Sequence, residues 1–390
     1  MVDLVKWCLY VSYFYGRLTG VLNFEIDLRT GQTRITRWAT IYAACAQACL
    51  LTLWIHHTYA TKTLTGMWAR TNLLHRCVFL IMAVFRILCA LLALTSRWLM
   101  RQEFIRLYNS FRRLFRHNPE AIQHFRREIF IKCFFATATE AMQLVMGLVL
   151  ARKYLTITMI LGLLSIVTLT AIINGIITQY FIAIAHIRGS YILLNKELET
   201  LLNEAQSLIP RRRGVFMAKC CFLADRLDRI AQRQSELRNL TDRLSKTFEI
   251  QLVCMAVSYY LNAVGSFYMM FSMVKYKHMV DDWPPIVLLL GALYFVCFFL
   301  DNWITMFNCF HLLDVHAELV KLMKQRTLFA PGLDSRLEKT FESFELSLAR
   351  NPFRLRFFRF LDADRFTCFS LCNSMITNSI FLIQYDMQNF

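Results

Sequence analysis

Apolar residues in this chain collect in long, nearly unbroken runs separated by strongly polar stretches. Seven runs stand out, near 38–59, 74–95, 129–150, 156–185, 248–274, 286–310 and 366–386. Each is about 20 residues or longer, which as a helix rising 1.5 Å per residue crosses roughly 30 Å of hydrocarbon. A helix satisfies its own backbone polar groups where no water is present, so the pattern predicts an all-α membrane protein with seven transmembrane helices. The fourth run, beginning TITMILGLLSIVTLTAIINGII, is longer than a bilayer needs and is expected to continue as a helix into water.

The polar stretches carry a different pattern. Leu223, Leu227, Ile230, Leu237, Leu240, Leu244 and Phe248 recur at intervals of three, four and seven, the narrow stripe of an amphipathic helix. Leu337, Phe341, Phe344 and Leu348 repeat the theme after the sixth run. Two readings stand: surface helices covering the loops, or a stem through which subunits associate. The segment 352–365, PFRLRFFRFLDADR, mixes Phe353, Phe357, Phe358 and Phe360 with Arg354, Arg356 and Arg359, and predicts a basic aromatic helix at the membrane surface. Pro119, Pro210, Pro284, Pro285, Pro331 and Pro352 all avoid the apolar runs, and the Pro284–Pro285 pair is placed to start the sixth helix.

Composition sharpens this. The chain is 56% hydrophobic and only 18% charged over 390 residues, with mean hydropathy +0.40. Its net charge of +17 would suggest nucleic acid in a soluble protein, but here the location of the charge decides topology. The N-terminal segment holds 5 Lys and Arg, and the segments after the second, fourth and sixth runs hold 8, 12 and 10. The three remaining loops hold 2 each and the C-terminal tail none, with Arg76, Arg86 and Lys132 inside runs. The positive-inside rule then sets the N-terminus in the cytoplasm and the C-terminus outside.

This divides the chain into a cytoplasmic N-terminal segment, 1–37, and helices one to four across 38–185. A cytoplasmic helical stem segment, 186–247, leads to helices five and six across 248–310. A second cytoplasmic helical segment, 311–365, precedes the last helix and a short external tail, 366–390. MVDLVKWCLY lacks signal-peptide form, so the first spanning helix is expected to serve as its own insertion signal. The 13 cysteines sit mostly in apolar or cytoplasm-facing stretches, which suits buried thiols rather than disulfides. The Arg211–Arg212–Arg213 run reads as a solvated loop beside anionic headgroups, with no nucleic-acid role.

The seventh run is the most polar, carrying Thr367, Ser370, Asn373, Ser374, Thr377, Asn378, Ser379 and Gln384. Such a helix needs protein or water around it. Interhelical hydrogen bonding and the lining of a pore both answer that need.

Here the chain resembles the insect gustatory receptors. Their last helix bears Thr-Tyr, five apolar residues, then Gln-Phe. This chain has Thr377-Asn378, then Ser379, Ile380, Phe381, Leu382 and Ile383, then Gln384-Tyr385, preceded by an acidic-basic pair at Asp364-Arg365. Asn378, Tyr385 and Ser379 depart from the pattern. The resemblance extends over the whole chain through its length, span count, orientation and short tail.

The resemblance implies a taste receptor of the plasma membrane, in the dendrite of a sensory neuron: a tastant-gated, non-selective cation channel subunit, with bitter or aversive compounds as the expected ligand class. It implies a homo- or hetero-tetramer with other gustatory receptor subunits, each lending its seventh helix to a central pore. Thr377, Asn378, Ile383, Gln384 and Tyr385 would line that pore. It also implies a ligand pocket in the outer half of the second to sixth helices. That half holds Glu140, Gln143, Thr158, Ser165, Tyr259, Tyr260, Asn262, Tyr268 and Tyr294. Each tyrosine could instead pack in the bundle or the interfacial belt. Glu140 could meet ligand or pair with Arg86, and Asp301 could face a cation path or another helix. Membrane lipid is the remaining partner; no cofactor or metal is expected.

Other classes fit less well. HExxH, GxSxG, Walker A and GxGxxG patterns are absent, against an enzyme. His56-His57 are adjacent, which is poor spacing for shared metal ligation on a helix. A G-protein-coupled receptor has the reverse orientation, and the Asp-Arg-Tyr and Asn-Pro-x-x-Tyr motifs are missing. A secondary transporter would show repeated halves and broken spans.

Orientation is directly testable. A C-terminal epitope tag should be labelled on intact, unpermeabilised cells. Asn239-Leu240-Thr241, the only glycosylation sequon in the chain, should show no mobility shift on deglycosylation. A tag that labels only after permeabilisation would overturn the topology.

Overall fold

A computed structural model describes residues 4–26, 32–67, 73–117, 120–123, 125–152, 156–208, 213–276, 283–325, 334–357, 361–362 and 364–389. Outside the described residues lie Arg211 and Arg212, most of the loop between the fifth and sixth runs at 277–282, residues 153–155, and Phe358, Arg359 and Phe360; the side chains of His56, His57 and Thr158 are likewise not described.

The chain is almost wholly helical. In order it forms α1 (Leu4–Leu18), α2 (Arg37–Met67), α3 (Leu73–Leu99), α4 (Arg101–His117), α5 (Glu120–Gln123) and α6 (Arg126–Ala151). Three long helices follow, α7 (Ile157–Gln206), α8 (Arg213–Lys275) and α9 (Pro285–Lys324), and then α10 (Ser335–Arg350) and α11 (Arg365–Asn389). Strands β1 (Glu25–Ile26) and β2 (Thr33–Arg34) pair antiparallel, as do β3 (Arg356–Phe357) and β4 (Leu361–Asp362). Among the described residues, seven helices are long and apolar enough to cross a membrane: α2, α3, α6, α7, α8, α9 and α11. These match the seven apolar runs one for one.

Length explains the architecture. α7, α8 and α9 have 50, 63 and 40 residues, hence lengths of about 75, 95 and 60 Å against roughly 30 Å of hydrocarbon. Their surplus turns pack together beyond the membrane, with α10 added against α8 and α9. All seven residues of the stripe from Leu223 to Phe248 are buried there, as are Leu337, Phe341, Phe344 and Leu348. They meet Tyr191, Leu194, Leu198 and Leu201 of α7 and Leu312, Leu319 and Met323 of α9 in one continuous core. The stripes are therefore consumed within the chain's own stem, and a stem-mediated subunit contact would have to use other faces.

Close backbone approach fixes two glycines. Gly20 has φ +69, and a Cβ there would sit 3.1 Å from the Ala43 carbonyl. At Gly189 a Cβ would lie 2.6 Å from the Ala121 carbonyl, so α5 can seat on α7 only over a bare backbone.

The segment after α10 corrects an expectation. In place of a surface helix from 352, the described residues run extended into the β3–β4 hairpin. The burial pattern gives the reason: Leu355 is buried, Arg354 exposed and Phe353 half-buried, a period of two. Phe353 stacks on His316 with ring centres 4.6 Å apart and meets Tyr191 edge-on at 5.8 Å. Phe353, one of the aromatics that suggested a membrane-facing stripe, instead anchors the strand to the stem, with Leu355 buried beside it.

Replacing buried Phe341 with Ala should destabilise the stem by about 3–5 kcal/mol. The matching change at exposed Leu346 should be nearly silent. Thermal unfolding of the detergent-purified protein checks both, and equal effects would contradict the stem core.

Candidate functional site

α11 starts with a side-chain cap. The Thr367 amide donates to Asp364 Oδ1 at 2.7 Å, and bonding from Thr367 holds the Asp364 carboxyl below the usual carboxylate range. Arg365 reaches back to Asp314 of α9 at 2.5 Å. From there α11 runs alongside α8, its main partner among the described residues, with Met375, Ser379 and Asp386 buried. Met375 packs with Ala263 and Val264 of α8.

The opposite side of α11 is open. Ser370, Asn373, Thr377 and Gln384 are exposed along one stripe, spaced by three, four and seven residues. Phe366, Phe369, Ile380 and Phe381 stand beside them, also exposed. Thr377 turns its hydroxyl to the Asn373 carbonyl at 3.0 Å. Of the five pore candidates, Thr377 and Gln384 lie on this stripe. Ile383 is half-buried and Tyr385 exposed to one side. Asn378 turns toward α8, where its amide donates to the Tyr260 hydroxyl at 2.5 Å and to the Ser374 carbonyl at 2.9 Å. Tyr260 and Ser374 also share a hydrogen bond of 2.8 Å.

Toward its end α11 is clasped. Asp386 is fully buried and accepts from the Tyr268 hydroxyl at 3.1 Å, the Tyr276 hydroxyl at 3.1 Å and Lys275 Nζ at 3.2 Å. Lys275 also reaches the Asp386 carbonyl at 3.2 Å. His75 of α3 joins the cluster through Ser272 at 3.1 Å and through its ring, 5.2 Å from that of Tyr268.

Between α3, α7, α8 and α9 lies a narrow cleft with about 30 Å³ of free space. Arg86 enters from α3, Thr170 and Asn174 from α7, Ser258, Tyr259 and Asn262 from α8, and Phe298, Asp301 and Asn302 from α9. Two hydrogen-bonded chains stand behind it on α6. The Arg86 guanidinium donates to the Thr170 hydroxyl, which donates to Gln143 at 2.7 Å. Asn174 donates to Glu140 at 3.1 Å, and Tyr15 of α1 donates to the other Glu140 oxygen at 2.6 Å.

Thus Glu140 does not pair with Arg86. A carboxylate inside a span needs donors, and it finds a phenol and an amide closer than the guanidinium. The N-terminal segment supplies one of them, so α1 packs on α6 and α7 rather than standing apart from the bundle. Asp301 settles as a helix–helix contact: its Oδ2 meets Lys132 Nζ of α6 at 2.6 Å, both side chains buried. Lys132 also donates to the Asp301 carbonyl at 3.3 Å.

The candidate pocket residues therefore separate. Tyr259 and Asn262 line the cleft, with Glu140 and Gln143 one bond behind it. Tyr260 and Tyr268 serve α11 instead. Ser165 is buried and bonded to the Gly162 carbonyl at 2.7 Å, while Tyr294 stacks on Phe298 with ring centres 6.2 Å apart. The cleft also sits deeper than the half nearest the α8–α9 turn. Phe298 and Asn302 lie about 20–25 Å along α9 from Pro285. Thr170, Asn174, Ser258 and Asn302 are the polar lining residues that the sequence reading did not single out; their polarity inside apolar runs was the available signal.

The geometry defines a seven-span helical membrane protein with a stem and a polar last helix. A family model described as 7tm Chemosensory receptor matches residues 9–389. In Drosophila melanogaster, gustatory receptor 59d is 47% identical over 390 residues, covering 100% of both chains. Gustatory receptor 36b is 34% identical over 392 residues, again covering 100% of both. Among solved structures, the insect olfactory receptor OR5 from Machilis hrabei in complex with eugenol shares the fold with a TM-score of 0.68 at 11% identity, covering 98% of this chain and 99% of that one. This chain belongs to the 7tm chemosensory receptor family, a family of receptors and not of enzymes.

Lys132→Ala leaves a buried carboxylate without its cation and should cost about 3–5 kcal/mol, seen as lost yield and a lowered melting temperature. The double change Lys132→Met with Asp301→Leu should recover most of that loss. A double variant no better than the single one would argue against the pair.

Proposed function

We propose that this chain is a tastant-gated cation channel subunit in which the cleft receives the ligand and α11 lines the conduction path. One observation carries the reading. Tyr259 and Tyr260 are neighbours on α8, yet the first lines the cleft and the second holds Asn378 and Ser374 of α11. A rotation or shift of α8 that accommodates a ligand at Tyr259 is delivered directly to α11 through Tyr260. Helix segments have discrete packings, so a small displacement at one face becomes a change of state at the other.

The exposed stripe of α11 supports the same reading. Hydroxyls and amides facing hydrocarbon are costly, so Ser370, Asn373, Thr377 and Gln384 call for water or further subunits around them. A ring of such stripes around a central axis, four by the family resemblance, would supply both. The intervening Ile380 and Phe381 would then form an apolar constriction. The neighbouring olfactory receptor's complex with eugenol supports a small organic ligand in this fold. Departures at Asn378 and Tyr385 from the family motif put the chain at the divergent end of the family, which favours bitter or aversive ligands.

Two substitutions test this in whole-cell recordings with a tastant panel, alone and with co-expressed gustatory subunits. Gln384→Lys should sharply reduce cation current at unchanged surface level. Tyr260→Phe should shift the agonist response by roughly tenfold, the worth of one such hydrogen bond, with ligand binding by purified protein unchanged. Wild-type current with normal permeability in Gln384→Lys would remove α11 from the pore.

A further inference from the structure

We propose that the exposed arginine face of α4 binds the headgroups of phosphoinositides in the leaflet on the stem side of the membrane. The distribution of Lys and Arg assigns that side to the cytoplasm, where anionic lipids are concentrated.

Two sets of ring contacts fix the level of α4. Near its start, Phe104 meets Phe248 of α8 edge-on with ring centres 5.1 Å apart, and Phe248 lies 5.6 Å from Tyr180 of α7. Farther on, Phe111 and Phe115 meet His186 of α7 at 6.2 and 5.5 Å. Phe248 opens the fifth apolar run and His186 follows the last residue of the fourth. Both contacts therefore fall where the long helices leave the apolar zone. Tyr180 and His186 are about 9 Å apart along α7, close to the depth of one headgroup layer, about 5–8 Å. α4 thus crosses the bundle obliquely within that layer instead of following the stem. The corner before it agrees: Leu99 is 80% exposed and Met100 37%, apolar side chains that lipid would cover. Trp38, 82% exposed at the start of α2, suits the same interface. The nearby Thr33 amide donates to Asn109 of α4 at 3.4 Å.

The apolar side of α4 is already used. Phe104 and Leu107 are buried, and Phe111, Leu114 and Phe115 half-buried, in the cores built on α7 and α8. The helix therefore does not insert into lipid as a free amphipathic helix does. What it offers lipid is its other side. Gln102, Arg106, Asn109, Arg113 and Arg116 follow at steps of four, three, four and three, which puts them on one face. The three arginines of that face are exposed.

Residue type narrows the partner. α4 carries five arginines, no lysine and one acidic residue, Glu103. Glu103 meets Arg106 at 2.6 Å and Arg243 of α8 at 3.8 Å, and one carboxylate shared between two guanidinium groups leaves the face cationic. Arg101 is turned inward to the Thr40 hydroxyl at 2.7 Å and to the Asn23 carbonyl. A guanidinium fork grips two phosphate oxygens at once, which a lysine cannot do. Arg113 and Arg116 stand about 4.5 Å apart along the helix axis, so a headgroup with more than one phosphate can engage both.

The test uses full-length protein purified in neutral detergent, where orientation in the cell plays no part. Dioctanoyl phosphatidylinositol 4,5-bisphosphate is titrated by thermal shift, against dioctanoyl phosphatidylcholine and free inositol trisphosphate. The bisphosphate lipid should bind saturably and the phosphatidylcholine should not. The triple variant Arg106→Gln, Arg113→Gln, Arg116→Gln should weaken binding about a hundredfold, roughly fivefold per arginine. Lysine at the same three positions keeps the charge and should still cost about threefold to tenfold, because the fork is lost. Lys219→Gln, Arg229→Gln and Arg233→Gln together remove equal charge from α8 about 20–45 Å from Phe248, and should leave binding within about twofold. An equal loss in that stem variant, no saturable binding by the wild-type protein, or equal binding of phosphatidylcholine would overturn the proposal. Lysine variants that bind like wild type would overturn the assignment to phosphate, and free inositol trisphosphate binding as tightly would overturn the assignment to lipid. A change of oligomeric size in the glutamine variant, with lipid binding intact, would give the face to a second copy of the chain instead.

Discussion

The absence of water from the bilayer interior governs this molecule more than any single contact. A polar side chain placed in a span must find a protein partner there, and the partner is usually on another helix. Several buried polar groups inside the bundle thereby become rivets. Lys132 ties α6 to α9 through Asp301, and Glu140 ties α6 to α1 and α7 through Tyr15 and Asn174. Arg97 of α3 meets Gln179 of α7 at 2.9 Å, and its guanidinium lies 3.9 Å from the Phe104 ring of α4. Lipid tails offer no hydrophobic drive between helices, so these few pairs fix rotation and register where packing alone would leave them loose.

Outside the membrane the rule reverses. Water is available, burial of apolar area drives assembly, and the stem is built from leucine and phenylalanine stripes. The three long helices cross from one regime to the other without interruption. α8 thus joins the membrane bundle to a packed stem, and Phe353 and Leu355 pin the segment after α10 against that stem. α11 is held at three levels by side chains of α8 or α9: Asp314 at its start, Tyr260 in the middle and the Lys275 cluster at its end.

What could be read from the sequence follows the same division. Helix number, length and the stem stripes were legible because they depend on composition along one segment. A run of about 20 apolar residues, or leucines every three or four positions, carries its meaning locally. The pairing of Glu140 with Arg86 was a reasonable expectation from depth and charge, but partner choice depends on helix rotation, which no single segment encodes. Tyr259 and Tyr260 make the point most sharply. Both looked like pocket residues, and the roughly 100° between adjacent positions on a helix sends one to the cleft and the other to α11. The segment at 352 failed for another reason. Four aromatics and three arginines satisfied a helical template, while the actual period of two was set by where the stem offered room for Phe353 and Leu355.

The last helix joins both halves of the argument. Its buried side is satisfied by α8, through Tyr260 and the Asp386 cluster, and its exposed side repeats hydroxyls and amides that no described residue covers. A helix needing only to pack in a bundle would be polar on one side at most. A helix that only lined a channel would not bury a carboxylate among two tyrosines and a lysine. Polarity on both sides makes sense when one face must be held in a definable position and the other must meet water. In the channel reading proposed above, α11 meets both conditions in the same element.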